Sequence, residues 1–309
     1  NILFVCCLSC VIIILFINKG KNMKTSVSTY SYGRYIDENK LGIRGVIEHA
    51  KKVGFDGIEF YNGEWQESSD SAKKVKEYCK EIGITPVALL VDADFINRGG
   101  EDGREEVKRL KRLVDRAADL GVSMMRHDVT SGIIGRHYNR GYDDVLPFLA
   151  DRIREVTVYA EGKGIKTMTE NHGFFSQDAN RVEKLINAVN HPNFGALVDL
   201  GNFMCADEEP PCSVGVMAPY AFHVHAKDFF VKNGQEVNPG DGWFMSRAGN
   251  YLRGTIVGHG SACIAQSIRT MARSGYSGFV TIEFEGMEDN LLGIELGYKN
   301  LTRFIEMAK

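Results

Sequence analysis

Six β-prone runs in this chain close on ionisable residues. They are Gly57-Ile58-Glu59, Arg126-His127-Asp128, Thr169-Glu170-Asn171-His172-Gly173, Val198-Asp199, His223-Val224-His225-Ala226-Lys227-Asp228 and Thr281-Ile282-Glu283. In a strand, successive side chains face opposite sides. If Glu283 faces inward, Ile282 and Phe284 face outward, and Asp199 inward leaves Val198 outward. Glu170, Asp199, His225 and Glu283 then share one face as three carboxylates and an imidazole. Each alone has an ordinary explanation as a helix N-cap or a solvated loop end. Gathered on neighbouring strands, they carry too much negative charge to pack together without a cation. The set predicts one divalent metal ion held by Glu170, Asp199, His225 and Glu283. A hard, oxygen-rich donor set favours Mn²⁺ or Mg²⁺, with Co²⁺ or Zn²⁺ as alternatives. His223 has the parity of His225 one layer deeper and reads as a core histidine. His259, in Val257-Gly258-His259-Gly260, reads either as loop structure or as a substrate contact.

Such a ring needs strands that end side by side. From Met23 onward, short β-rich runs alternate with longer amphipathic stretches, the pattern of a parallel sheet with helical crossovers. The strands are expected at 25–29, 57–61, 85–91, 123–127, 166–170, 194–199, 221–226 and 278–283. The stretch 103–120 has Val107, Leu110, Leu113, Val114 and Ala117 on one helical face. Gly54, Gly83, Gly121, Gly164 and Gly275 stand where helices should stop. Eight such units without a Pro/Ser-rich linker fit a single α/β domain over residues 23–309, a (β/α)8 TIM barrel. The alternative, a doubly wound sheet, lacks its Gly-rich phosphate loop: Thr29-Tyr30-Ser31-Tyr32-Gly33-Arg34 holds one glycine.

The composition is that of a globular protein, 44% hydrophobic and 25% charged with a formal net charge of -3. A slightly acidic chain with no basic run argues against nucleic acid. Seven scattered cysteines do not form a disulfide framework and fit a reducing compartment. The lone CxxC, Cys7 to Cys10, reads as incidental. The apolar run Ile2 to Ile17 precedes its charges (Lys19, Lys21, Lys24), the reverse of a signal peptide, and is short for a membrane span. Residues 1–22 therefore read as translated leader sequence ahead of a start at Met23, or as a short apolar segment such as a truncated anchor. The barrel itself is expected to be cytoplasmic, free of the membrane, and able to form a homo-oligomer.

The segments GFDGIEF (54–60), TENHG (169–173), VDLGN (198–202), HVHAKD (223–228) and FVTIEFEG (279–286) resemble the xylose-isomerase-like barrels of sugar phosphate isomerases and epimerases. That superfamily includes ketose 3-epimerases, inosose dehydratases and barrel-type repair endonucleases. The resemblance runs from Met23 to the C-terminus, and it implies the same four metal ligands. It further implies that Glu170 and Glu283 flank the substrate as proton-transferring groups. Glu59, Arg126, His127, His172 and Lys227 fall where such enzymes contact substrate hydroxyls. The chain departs from the endonucleases and from many ketose 3-epimerases at Asn202, where they carry His. It also lacks the endonucleases' Asp-x-His between Asp228 and Gly260. The stretch from Phe229 to Gly258, with Trp243, Arg247, Tyr251 and Arg253, reads as a pocket cover or a surface excursion.

The expected function is a metal-dependent isomerase or epimerase moving a proton beside the carbonyl of a sugar or polyol through an enediolate. The same apparatus would serve a dehydratase or lyase on a keto-sugar or inosose. A non-catalytic sugar-binding or partner subunit is the reading from another class, and a nuclease ranks third. A chain shortened to begin at Met23 is expected to be as soluble and as active as the full one. Insolubility of the shortened chain alone would reject that expectation.

Overall fold

Eight parallel strands close on themselves in the computed structural model, which describes residues 23–61, 72–98, 100, 102–133 and 141–309. The strands are β1 (Lys24–Ser28), β2 (Gly57–Tyr61), β3 (Thr85–Val91), β4 (Met124–His127), β5 (Lys166–Glu170), β6 (Phe194–Asp199), β7 (Ala221–Ala226) and, after three strands outside the barrel, β11 (Phe279–Ile282). Round the barrel the order is β1-β11-β7-β6-β5-β4-β3-β2. The single (β/α)8 TIM barrel expected from the alternation is the fold observed, with strand ends within a residue of expectation. The reading of residues 1–22 lies outside the described residues.

Helices α1 (Gly33–Asp37), α2 (Ile43–Val53), α3 (Ala72–Ile82), α4 (Arg104–Leu120), α5 (Tyr142–Glu161), α6 (Ala179–Val189), α7 (Pro210–Met217), α8 (Ile264–Arg273) and α9 (Asn290–Met307) fill the crossovers. α4 buries Val107, Leu110, Leu113, Val114 and Ala117, the face its spacing marked. It ends at Gly121 and α2 ends at Gly54, both at positive φ (79° and 111°), where a Cβ would be strained. The main core lies between strands and helices and includes Val27, Ile58, Phe60, Leu110, Ile153, Val224 and Ile282. A smaller cluster of Val87, Leu90, Met168 and Leu197 is separate. Met168 precedes Glu170 by two residues and Leu197 precedes Asp199 by two, so period-two alternation makes this apolar plug the layer beneath the polar ring.

The stretch after β7 is not irregular. It forms an antiparallel sheet of β8 (Asp228–Lys232), β9 (Phe244–Met245) and β10 (Tyr251–Thr255) in the order β8-β10-β9. Arg247 pins this sheet across the neighbouring βα loops: its Nη1 is 2.9 Å from Asp178 Oδ2, and its backbone N–H donates to the carbonyl of Cys205 at 2.8 Å. Asp207 accepts from Ser246 Oγ (2.6 Å) and Asn250 Nδ2 (2.8 Å). The Asp228 carboxylate accepts from the N–H groups of Phe229, Gly258, Gly260 and Ala262 at 2.8–3.0 Å, clamping the return of the excursion to its start. Among the described residues, no helix is long and apolar enough to cross a membrane.

One glycine couples this framework to the polar ring. A Cβ on Gly201 would lie 2.3 Å from the carbonyl oxygen of Lys227, closer than atoms can approach. Gly201→Ala must push the ends of β6 and β7 apart. It is expected to lower stability by about 1–3 kcal/mol in urea denaturation, and an unchanged midpoint would show that the two strand ends separate freely.

Candidate metal centre

Asp199 shows how the local fold aims a candidate ligand. Its Oδ1 accepts from the backbone N–H groups of Gly201 and Asn202 at 2.8 Å each, turning the end of β6 into a short 3-10 helix at Asn202–Ala206. Its Oδ2 is buried without a hydrogen-bond partner. Asn171 links the ends of β5 and β6: its Nδ2 donates to the Asp199 carbonyl (3.0 Å), and its Oδ1 accepts from the Asp199 N–H (2.9 Å). Glu170, ending β5, accepts from Asn202 Nδ2 at Oε1 (2.9 Å). The backbone N–H of Glu283, just past β11, donates to the Ala226 carbonyl.

Four side-chain atoms converge. His225 Nδ1, buried and unpartnered, lies 3.9 Å from Glu170 Oε1, 3.8 Å from Asp199 Oδ2 and 3.6 Å from Glu283 Oε2. One ligand atom from each of the four residues falls within 4.8 Å of all the others. Separations of roughly 3–4 Å are those of ligands about 2.1 Å from a shared ion. Two buried polar atoms left without hydrogen-bond partners are what such an ion would satisfy. The residues present therefore fit a divalent cation.

The charges around the cluster follow the same logic. Lys227, 3% exposed, has Nζ 2.6 Å from Glu283 Oε2, 3.1 Å from Glu285 Oε1 and 3.9 Å from Asp199 Oδ2. Burial disfavours its charge, but these carboxylates outweigh burial and hold its pKa well above the ordinary value. Arg126 places Nη2 2.6 Å from Glu170 Oε2 and 2.8 Å from Asp128 Oδ1. Burial pushes the Asp199 carboxyl upward, and the nearby Glu170 and Glu283 charges add to it against the pull of Lys227. Burial opposes a proton on His225, yet Glu59 and Glu283 raise it well above the usual imidazole range.

Not every residue singled out in the sequence reaches the mouth. Glu59 is fully buried, with Oε2 2.9 Å from Nε2 of both His223 and His225. Burial would raise its carboxyl, but the two imidazoles lower it to about 2. Glu59, for which a substrate contact was expected, thus has one carboxylate oxygen committed to the two histidines. His127 is likewise buried: adjacent residues of a strand face opposite sides, so Arg126 inward turns His127 toward the helices. There its ring meets Phe95 and Phe194, and burial lowers its pKa to about 4. His172 stands at the rim, 45% exposed, with Nδ1 2.9 Å from Asp128 Oδ1. His259 is exposed in the loop clamped by Asp228, and no contact among the described residues joins it to the four ligands.

Sequence reading passed over Asp128, Glu285, Tyr30 and Asn171. Glu285 could have been found, because it keeps the parity of Glu283 two residues on. Tyr30 stacks edge-on with Tyr61 at a centroid distance of 5.6 Å, and its hydroxyl is raised chiefly by the Glu285 charge. Nothing in the local sequence marks Tyr30 or Asn171, since their partners come from other strands.

Fold and site together define a (β/α)8 barrel with one imidazole and three carboxylates at the C-terminal ends of four adjacent strands, β5, β6, β7 and β11. The chain belongs to the xylose isomerase-like TIM barrel family, whose sequence profile matches residues 47–306. A 3-dehydroshikimate dehydratase of Pseudomonas putida is 21% identical over 210 residues, covering 67% of this chain and 31% of that protein. The chain thus spans about a third of the relative's length. Among solved structures, the IOLI protein with a bound zinc atom superposes with a TM-score of 0.74 at 18% identity, over 93% of this chain and 99% of that one. An L-ribulose 3-epimerase gives 0.70 at 13% identity, over 93% and 95%. At these identities the superpositions show the shared fold.

His225 and Asp199 are both shifted upward, and a ligand must shed its proton before it can hold an ion. Apparent metal affinity should therefore rise with pH, and uptake near neutrality should release about one proton or more. Calorimetry in buffers of different ionisation enthalpy measures that number. Uptake without proton release would show that His225 and Asp199 do not hold those protons.

Proposed function

We propose that the chain is a metal-dependent enzyme that moves a proton on the carbon beside a carbonyl of a small sugar or polyol. The observation that carries this reading is the convergence of Glu170 and Glu283 on one point from strands three places apart in the barrel, β5 and β11. Two carboxylates so placed flank a bound molecule, one able to take a proton and the other able to return it. A divalent ion held by the four ligands would polarise the substrate oxygens beside the reacting carbon.

The chain's own residues divide the remaining work. Arg126 and Asn202 hold both oxygens of Glu170. Lys227 holds Glu283 through Oε2. Each glutamate is thereby fixed in one rotamer, as proton transfer over a short distance requires. His172, held by Asp128, and Tyr30 stand at the rim in positions to donate to substrate hydroxyls. Expulsion of a β-hydroxyl by the same pair is the second reading, favoured by the dehydratase that matches 67% of the chain. Manganese or magnesium suits three carboxylates and one imidazole best.

The test is a screen of keto-sugars and inososes in D₂O with chelated and metal-restored protein. Turnover should place deuterium on the carbon beside the carbonyl, and a product lighter by one water would mark the lyase. Chelation should abolish activity, with Mn²⁺ or Mg²⁺ restoring it. Glu170→Gln and Glu283→Gln should each lower turnover by orders of magnitude at saturating metal, whereas Asp199→Asn should be partly rescued by more metal. Near-normal turnover in both glutamate variants would end the proton-transfer reading while leaving the metal centre standing.

A further inference from the structure

Beneath the four ligand residues lies a buried layer built around a single oxygen, and the proton transfer above makes no use of it. Glu59 Oε2 accepts from Nε2 of His225 and from Nε2 of His223, each at 2.9 Å, while Glu59 Oε1 has no partner. The carboxylate comes from β2, three strands round the barrel from β7. His223 Nε2 is also 2.8 Å from Thr281 Oγ1, which is 2.5 Å from Ser26 Oγ. The His223 and His225 rings meet edge-on at 5.5 Å. All five residues are buried, so this chain is closed to solvent.

We propose that Glu59 is a positioning residue: its carboxylate keeps a proton on His225 Nε2 and so presents the bare Nδ1 to the metal ion. The proposal rests on the metal-centre reading. An ionised carboxylate has no proton to give, so an imidazole nitrogen facing it must be the donor. A neutral imidazole has one N–H. With that N–H committed to Glu59, the Nδ1 lone pair is free, and Nδ1 is the atom that lies 3.6–3.9 Å from the three carboxylates. Hydrogen bonds of this kind orient a ligating ring and raise its basicity, and their loss costs about 10–100-fold in metal affinity. The arrangement around His223, Thr281 and Ser26 braces Glu59 against rotating away. Glu59, His223 and His225 also lie close enough to form a second cation site. Both imidazoles, however, approach the same Glu59 oxygen at 2.9 Å, the separation of a hydrogen bond.

Zinc is the probe, because it is diamagnetic and binds imidazole. The wild-type chain should take up one Zn²⁺, and long-range ¹H–¹⁵N spectra of the zinc-loaded, ¹⁵N-His protein should show His225 protonated at Nε2 and bare at Nδ1. Glu59→Gln keeps an acceptor without the charge and should bind Zn²⁺ about 10-fold more weakly in chelator competition. Glu59→Leu removes the acceptor and should bind about 100-fold more weakly. Wild-type affinity in both variants, or a proton found on Nδ1, overturns the proposal and leaves the metal centre intact. Two ions in the wild type with one lost in Glu59→Leu would make Glu59 a ligand instead, and also overturns it. Failure of the wild type to bind zinc at all would sink the metal centre itself. Should the Leu variant not fold, the Gln variant and the wild-type spectra still decide.

Discussion

Three carboxylates brought within a few ångströms of one another in a nearly dry barrel mouth repel strongly, and the rest of the site is arranged around that repulsion. In water the cost would be slight. With Asp199 and Glu170 all but excluded from solvent, it is large unless positive charge is supplied. The chain supplies part of it through Lys227 beside Glu283 and Arg126 beside Glu170, both buried as well. Each of these cations would itself be untenable in such surroundings without its carboxylates. The cluster is therefore held by mutual need, and Asp199 Oδ2 and His225 Nδ1 remain buried without hydrogen-bond partners, as the proposed cation would require.

The barrel makes this economical. Residues two apart on a strand point the same way, so one register places Met168, Leu197, His223 and Thr281 in one layer and Glu170, Asp199, His225 and Glu283 in the next. A shift of one residue would replace Asp199 by Val198, His225 by Val224 or Glu283 by Ile282 at the mouth, and Glu170 by the uncharged Thr169. The layer that holds the apolar plug and His223, and the carboxylate layer above it, are thus two products of a single alternation. Backbone groups complete the aim, as at Asp199, where one oxygen ends the strand and the other is left for chemistry.

Much of this was legible in the sequence, for a physical reason. Strand period, helix period and capping glycines are local properties, and they located all eight barrel strands and the four convergent residues. Partners across the barrel are not local. Glu59 lies on β2, and only the closure of the barrel brings it to the histidines of β7; nothing in GFDGIEF states that its carboxylate faces two imidazoles. The placement of His127 was legible, by contrast, since strand alternation keeps Arg126 and His127 from sharing a face. The stretch after β7 was opaque because its apolar residues, Phe229, Leu252 and Phe244, come together only through antiparallel pairing across a long turn.

That appended sheet also alters how the molecule meets its own kind. A closed barrel leaves no strand with unpaired backbone groups, whereas an open sheet of three strands has two free borders on which another chain could hydrogen-bond. One border here is β9, only two residues long, flanked by glycines at 240, 242 and 249 with positive φ that bend the backbone out of line. The other is β8, which runs directly out of the barrel strand before it and carries an exposed lysine, Lys232, at its far end. A short border and a charged one template little. The chain has thereby added a β-sheet beside its mouth while offering few of the sticky flanks on which fibrillar aggregation begins.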